Sequence, residues 1–290
     1  MMRNLMFLFA GLASPALAAS PARDEAPDMP WSISIDGGTS ITVGNADQWS
    51  AGATLTRDIG DGFVSLAYAR LKDEGIPGSV LAPATRTDQL TLSAAYTFGK
   101  VSLDASFGYG WRKFEPAALA GRLGRTITID GDGRALSLGG GISAEFALDA
   151  HTALSPSVSV TYDESDTGRV VVLPVRGAVV VSKREKGVTG NFGLTLSRSF
   201  GAEDRHSISA HASYITTSNA AAPALLSGNR GSRSLRPRTE LGGSADWFDY
   251  GASLGLGLTD RLSLNLDVSS TAGFAGPEVT SLSAGLEIRF

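Results

Sequence analysis

Side chains able to do chemistry are sparse in this chain. It holds three histidines, His151, His206 and His211, and no cysteine. The lack of cysteine excludes thiol nucleophiles, thiolate metal sites and disulfide bridges. A serine becomes a nucleophile only when an oriented histidine lies within hydrogen-bond reach of its hydroxyl. His211 is the histidine that comes nearest to this pattern, with Ser209 and Ser213 two residues away on either side. His151 and neighbouring Asp149 fall in a short turn, where a carboxylate caps backbone N–H groups. His206 opens the next segment at the same end. No metal-ligand spacing occurs, so the expectation is a non-enzymatic protein without a cofactor.

The remaining ionisable groups make sense only through the elements that place them. Segments of roughly ten residues alternate apolar side chains with small or polar ones. Leu90, Leu92, Ala94, Tyr96 and Phe98 alternate with Gln89, Thr91, Ser93, Ala95 and Thr97. Val101, Leu103, Ala105, Phe107, Tyr109 and Trp111 alternate with Ser102, Asp104, Ser106, Gly108, Gly110 and Arg112. Leu262, Leu264, Leu266 and Val268 alternate with Ser263, Asn265, Asp267 and Ser269. A strand turns successive side chains to opposite faces, so each segment has one oily and one polar face. Strands of ~9–11 residues are the length a tilted strand needs to cross a bilayer.

Twelve such strands are expected, over 31–42, 48–58, 62–72, 87–98, 101–112, 134–148, 151–163, 188–200, 205–217, 246–259, 261–271 and 278–290. The links after even-numbered strands are short, for example Gly99-Lys100 and Asp149-Ala150. Most links after odd-numbered strands are long: 73–86, 113–133, 164–187 and 218–245. Outer-membrane barrels sort their connections in this way, with short turns on the periplasmic side. A soluble sandwich would alternate too, but would not sort its loops by turn order. Tyr109, Trp111 and Tyr162 stand near one end of their strands and Phe98, Phe200 and Phe290 near the other, as two interfacial girdles require. The fold expected is an all-β, antiparallel, up-and-down transmembrane barrel with both termini periplasmic.

The ends of the chain agree. Met1 to Asn4 is basic, Leu5 to Leu12 apolar, and Ala16 and Ala18 form a small-residue cleavage site, the pattern of a secretory signal peptide over residues 1–19. Residues 20–30 are rich in proline and charge and read as a periplasmic linker. Only that linker stands ahead of the barrel of 31–290, so a barrel without a passenger is expected. Glycine supplies 35 of 290 residues, charged side chains make up 19%, and the net charge is −4. This mild acidity argues against nucleic acid as a partner.

In the last strand, Leu282, Ala284, Leu286, Ile288 and Phe290 occupy every second place. The pattern resembles the C-terminal assembly signal of outer-membrane barrels, which the barrel-assembly machinery reads as an added strand. Twelve strands in about 260 residues, closed by a strand with Gly285 and an aromatic end, also resemble the translocator barrel of autotransporters. That resemblance implies an integral outer-membrane protein. Outer-membrane phospholipases share the architecture, but their His-x-Ser-Asn type of motif is not found here.

On the polar parity, Asp104, Arg112, Glu145, His211, Asp249, Asp267, Glu287 and Arg289 are the candidate pore-lining residues, with Asp36, Asp163 and Arg261 on the same face. Mixed charges of this kind set the ion preference of a water-filled pore. The expected function is therefore a narrow passive pore for small polar solutes or ions. A translocator barrel and a closed structural barrel are the alternatives. In the connection between the ninth and tenth strands, Arg230, Arg233, Arg236 and Arg238 are candidates to meet lipopolysaccharide phosphates or other anions. Val170 to Leu173 and Val179 to Val181 suggest a hairpin that carries strands seven and eight beyond the membrane. Outer-membrane lipid, lipopolysaccharide and the assembly machinery are the partners expected.

Overall fold

The computed structural model describes residues 29–42, 48–73, 84–114, 119–120, 126–127, 131–173, 177–223, 243–273 and 278–290. The expected signal peptide, nearly all of the expected linker and the arginines at 230, 233, 236 and 238 lie outside the described residues. Twelve long antiparallel strands form one sheet. They are β1 Trp31–Thr42, β2 Gln48–Ile59, β3 Gly62–Asp73, β4 Thr85–Phe98, β5 Val101–Phe114, β6 Gly131–Ala144, β7 Thr152–Leu173, β8 Gly177–Phe200, β9 His206–Thr217, β10 Ala245–Gly257, β11 Leu262–Ala272 and β12 Val279–Arg289. After a break at Glu145, β6 resumes briefly as Phe146–Ala147. A two-residue ribbon pairs Leu119–Ala120 with Thr126–Ile127.

Every strand is antiparallel to its chain neighbour, and β1 pairs with β12 from Ser32↔Arg289 to Thr42↔Val279. The ring is completed where β6 lies along β7, with Phe146 and Ala147 laddered to Leu154 and Ala153. The sheet is thus a closed barrel, which leaves no open edge to pair with other chains. Its hairpins are tight where the sequence supplies turn glycines. Gly99 sits between Phe98 and Val101 at φ +64°, a left-handed conformation that a side chain would resist.

The register turns the alternation into two faces. Across β2 to β6, Leu55, Leu66, Leu92, Phe107 and Leu138 are successive partners on the outer face. One residue along, Thr54, Ala67, Thr91, Gly108 and Ser137 are partners on the inner face. Burial follows the same division: Leu55 is 40% exposed and adjacent Thr54 only 4%. Large apolar side chains face outward all round the barrel, whereas Ser32, Thr56, Ser65, Ser93, Ser159 and Thr161 are buried inside. A water-soluble protein places these groups the other way round. A continuous outer apolar surface of this size needs lipid. Among the described residues no helix is long and apolar enough to cross a membrane, so the strands do the crossing.

Two strands overrun the bilayer. β7 has 22 residues and β8 has 24, about twice what a crossing needs. Their upper halves form the hairpin foreseen in the sequence, paired from Asp163↔Gly187 to Leu173↔Gly177. Just above the crossing, outward-facing Glu164 lies 3.2 Å from Lys186, and Asp166 3.0 Å from Arg184. Once the ribbon leaves the lipid, cross-strand ion pairs take over the outer face from leucine and valine.

Candidate functional site

The lumen is the concave, polar region of the molecule. Its wall is built of short side chains because the inward parity of the strands is Ser, Thr, Gly and Ala. The rung Ser155, Thr195, His211, Gly251, Ser269 and Ser281, traced through β7 to β12, contains a single large side chain, His211.

Seven of the eight candidate pore-lining residues have the inward parity of their strands, Glu145 falling in the break of β6, and they do not form one cluster. Asp104 lies on β5 opposite Gly141, whose missing Cβ would stand 2.7 Å from the Asp104 Oδ1 atom. The glycine leaves that space to the carboxylate. Arg112 is 3% exposed, packed into the inner wall. Its guanidinium donates to the Asp166 carbonyl at 2.6 Å and lies 5.5 Å from the centre of the Phe114 ring. Arg112 therefore ties the start of the β7–β8 ribbon to β5.

His211 Nε2 lies 3.1 Å from Asp249 Oδ1, an inward pair between β9 and β10. Asp249 is the Cα partner of Ser213, and Gly251 leaves the histidine ring its space, with 2.6 Å between its Cβ position and His211 Cε1. The second ring nitrogen, Nδ1, has no partner among the described residues, so no serine hydroxyl is engaged there. The pair supplies an orienting carboxylate and a base without a bound nucleophile. On β12, Arg289 Nε donates to Glu287 at 2.9 Å. Asp267 accepts from the Ser283 hydroxyl at 3.3 Å. Glu145 occupies the break in β6, its backbone N–H donating to the Lys100 carbonyl at 2.8 Å. His151 takes the turn role expected of it: its backbone N–H donates to Asp149 Oδ1 at 2.8 Å. His206 packs its ring on Phe200 at 5.4 Å.

The sequence did not reveal what happens at the long-connection mouth. The chain leaving β9 turns over the inward faces of β8 and β10 through residues 218–223. Asn219 organises this turn. Its side-chain amide donates to Glu185 Oε2 and to the Lys186 carbonyl, each at 3.0 Å. Its Oδ1 accepts the N–H of Ala221 at 3.1 Å. Ala220 donates back to the Gly243 carbonyl at 2.9 Å and packs with Ile215 against Trp247, which is 1% exposed. Gly187 makes the close approach possible, since a Cβ there would meet the Asn219 carbonyl at 3.0 Å and the Ala222 Cβ at 3.1 Å. The bond from Asn219 to Ala221 is a local Asx turn, and the run Ser218-Asn219-Ala220 before Pro223 carries that signal. The contact with Glu185 is long-range and had no signal.

A closed, lipid-facing barrel with a polar lumen defines a membrane-spanning β-barrel of the outer-membrane type. The autotransporter beta-domain family model matches residues 84–269, and the chain belongs to that family. Its fold is similar to the β domain of the Bordetella autotransporter Brka, at 16% identity and a TM-score of 0.61, over 90% of this chain and 98% of that one. The translocator domain of the autotransporter NalP from Neisseria meningitidis aligns at 15% identity and a TM-score of 0.58, over 93% and 91%. An outer membrane channel from Pseudomonas putida F1 aligns at 11% identity and a TM-score of 0.51, over 93% and 99%. No curated protein matches the chain. The protein is an outer-membrane β-barrel of the autotransporter translocator type.

Proposed function

We propose that this barrel is a narrow, passive and non-enzymatic route for small polar solutes and ions across the outer membrane. The observation that carries the reading is the short-chain inner wall, such as Thr54, Ala67, Thr91, Gly108 and Ser137 in register across five strands. Such short side chains take up little of the lumen's cross-section and offer hydroxyl partners to water. Asp104, His211, Asp249 and Asp267 stand along that wall and bias which ions enter. The turn at Asn219 packs over the inward faces of β8 and β10 at the long-connection mouth, on the path of such a route.

In this reading the chain is exported by a signal peptide cleaved after Ala18 or Ala19. The strand bearing Leu282, Ala284, Leu286, Ile288 and Phe290 is recognised by the assembly machinery. Both termini then lie in the periplasm. Family membership supports a second reading, in which the same lumen passes an extended polypeptide.

Proteoliposome swelling tests the proposal. Vesicles carrying the full chain should swell in small polar solutes such as arabinose and not in a large dextran. Swelling no faster than empty vesicles would contradict it. Swelling unaffected by solute, but inhibited by an unfolded peptide held in the lumen, would favour the second reading.

A further inference from the structure

The outer face carries one feature that a route through the lumen does not use. Above the apolar belt, the register of β3 to β6 lines up two outward-facing rungs. One is Arg70, Asp88, Trp111 and Arg134; the next, closer to the long connections, is Lys72, Arg86, Lys113 and Asp132. Five cations thus stand with two carboxylates on four adjacent strands, and Asp166 of the neighbouring β7 lies beside Arg134, whose backbone N–H it accepts at 3.1 Å. Strands about 4.8 Å apart place them within one patch roughly 15 Å wide.

The patch is built rather than scattered. Asp88 accepts from Arg70 Nε at 2.7 Å and from the Tyr68 hydroxyl at 2.5 Å, and lies 3.4 Å from Arg86 Nε. One carboxylate therefore holds two guanidinium groups side by side, which leaves a positive excess there. Beneath them Tyr68 and Tyr109 occupy the next outward rung with Leu90 and Leu136, and below that only apolar side chains follow. Tyr109 stacks edge-on against Trp111 at 5.0 Å. Aromatic rings of this kind mark the level of lipid headgroups.

Among the described residues the charge at this rim is also one-sided. At the same rim, β7 and β8 balance Glu164 and Asp166 with Lys186 and Arg184. On β9 to β12 the outward groups near this level are Thr216, Asp246, Ser270 and Thr280. Among the described outward groups at this rim, the unbalanced cations stand in this sector.

The geometry points to a docking face on β3 to β6 for a phosphorylated lipid headgroup of the leaflet at this rim. The guanidinium pair at Asp88 provides forked donors for phosphate oxygens, and Lys72, Lys113 and Arg134 supply flanking charge. Trp111 and Tyr109 lie against the acyl chains just below. The occupant assigned is bisphosphorylated lipid A, and the assignment rests on the reading that the long connections face the cell exterior.

The test uses the full chain, refolded in detergent and mixed with bisphosphorylated lipid A, with phosphate-stripped lipid A as the control. Lipid retained per barrel is counted by native mass spectrometry. The variant Lys72→Gln/Lys113→Gln/Arg134→Gln removes the flanking charge and leaves the Asp88 group intact. Arg57→Gln/Arg198→Gln removes two outward cations on the opposite rim. Retention of the bisphosphorylated lipid should fall about tenfold or more in the first variant and stay unchanged in the second. Stripped lipid should bind the unaltered chain no better than the first variant binds the intact lipid. Equal retention by all three proteins, or of both lipids, would overturn the assignment. If the first variant fails to fold, the unaltered chain still decides: retention should drop steeply between about 0.1 M and 1 M salt, and salt-independent retention would overturn it. These measurements do not depend on orientation, which surface labelling of β3–β4 loop residues in cells tests separately.

Discussion

Phe290 and Trp31 exchange both backbone hydrogen bonds: the Phe290 N–H donates to the Trp31 carbonyl at 2.9 Å, and the Trp31 N–H to the Phe290 carbonyl at 3.2 Å. These bonds begin the seam between β12 and β1 that joins the two ends of the described sheet. The aromatic side chain of Phe290 is 51% exposed on the outer face, where lipid receives it. Truncation before Phe290 should therefore remove both bonds and an interfacial anchor, and lower stability by about 1–3 kcal/mol. Refolding yield, read as heat-modifiable mobility on a gel, should drop; an unchanged yield and unfolding midpoint would argue that closure does not need this residue.

The two faces of β4 should respond oppositely to the same substitution. Leu92→Arg places a cation in the middle of the lipid belt and should cost about 2–4 kcal/mol. Thr91→Arg points the same side chain into the lumen and should leave the unfolding midpoint nearly unchanged while altering ion flow. Equilibrium unfolding by denaturant in lipid vesicles measures the first effect. Similar midpoints for the two variants would contradict the assignment of faces.

The β7–β8 ribbon should be acid-labile above the membrane. Glu164 has its pKa lowered, chiefly by the Lys186 hydrogen bond. For Asp166, burial is the largest single influence and raises the pKa. Hydrogen bonds from Arg184 and the Arg134 backbone, together with their charges, outweigh it, and the net shift is downward. Groups with depressed pKa stabilise the folded form above their unfolded values of 4.5 and 3.8, and that stabilisation is lost as pH falls through the lower folded values. Protection factors of the ribbon amides, corrected for the intrinsic pH dependence of exchange, should thus fall as the pH drops below about 4.5 while the crossing strands stay protected. Arg184→Ala should produce part of the same loosening at neutral pH. Uniform protection across that range would refute the ion-ladder account.

Asn219→Ala should loosen the turn at the mouth. It removes both donors to Glu185 and Lys186 and the Asx turn that shapes residues 219–221. Longer or larger open states are expected, with the barrel itself intact and a stability loss of about 1–2 kcal/mol. Glu185→Gln keeps a hydrogen-bond acceptor for Asn219 and should change the open state less. Identical current traces for Asn219→Ala and the unaltered chain would remove the turn from any gating role.

Most of the fold was legible because a lipid barrel writes its geometry into a period of two. β1 runs from Trp31 to Thr42, as the alternation implied, and most other barrel strands start and stop within a few residues of expectation. The bounds of β7 and β8 departed furthest, although the valine runs had pointed to their hairpin beyond the membrane. There the outward residues are Glu164, Asp166, Arg184 and Lys186, and a strand that has left the lipid no longer alternates oil with polar groups. The inward parity of Asp104 or Asp267 could be read from the sequence for the same reason that Leu103 and Leu266 face out. What could not be read were relations across distance. Arg112 could be read as an inward charge, but its hydrogen bond to the Asp166 carbonyl, 54 residues further along the chain, could not. The docking of Asn219 on Glu185 depends on Gly187 leaving room beneath the turn, and periodicity does not encode such a contact.

Planar-bilayer recording tests the central claim most directly. The unaltered full chain, refolded and inserted, should give discrete stepwise conductance of a narrow aqueous route, with steps of uniform size. Electrically silent bilayers in which insertion of folded barrels is verified would contradict a water-filled lumen.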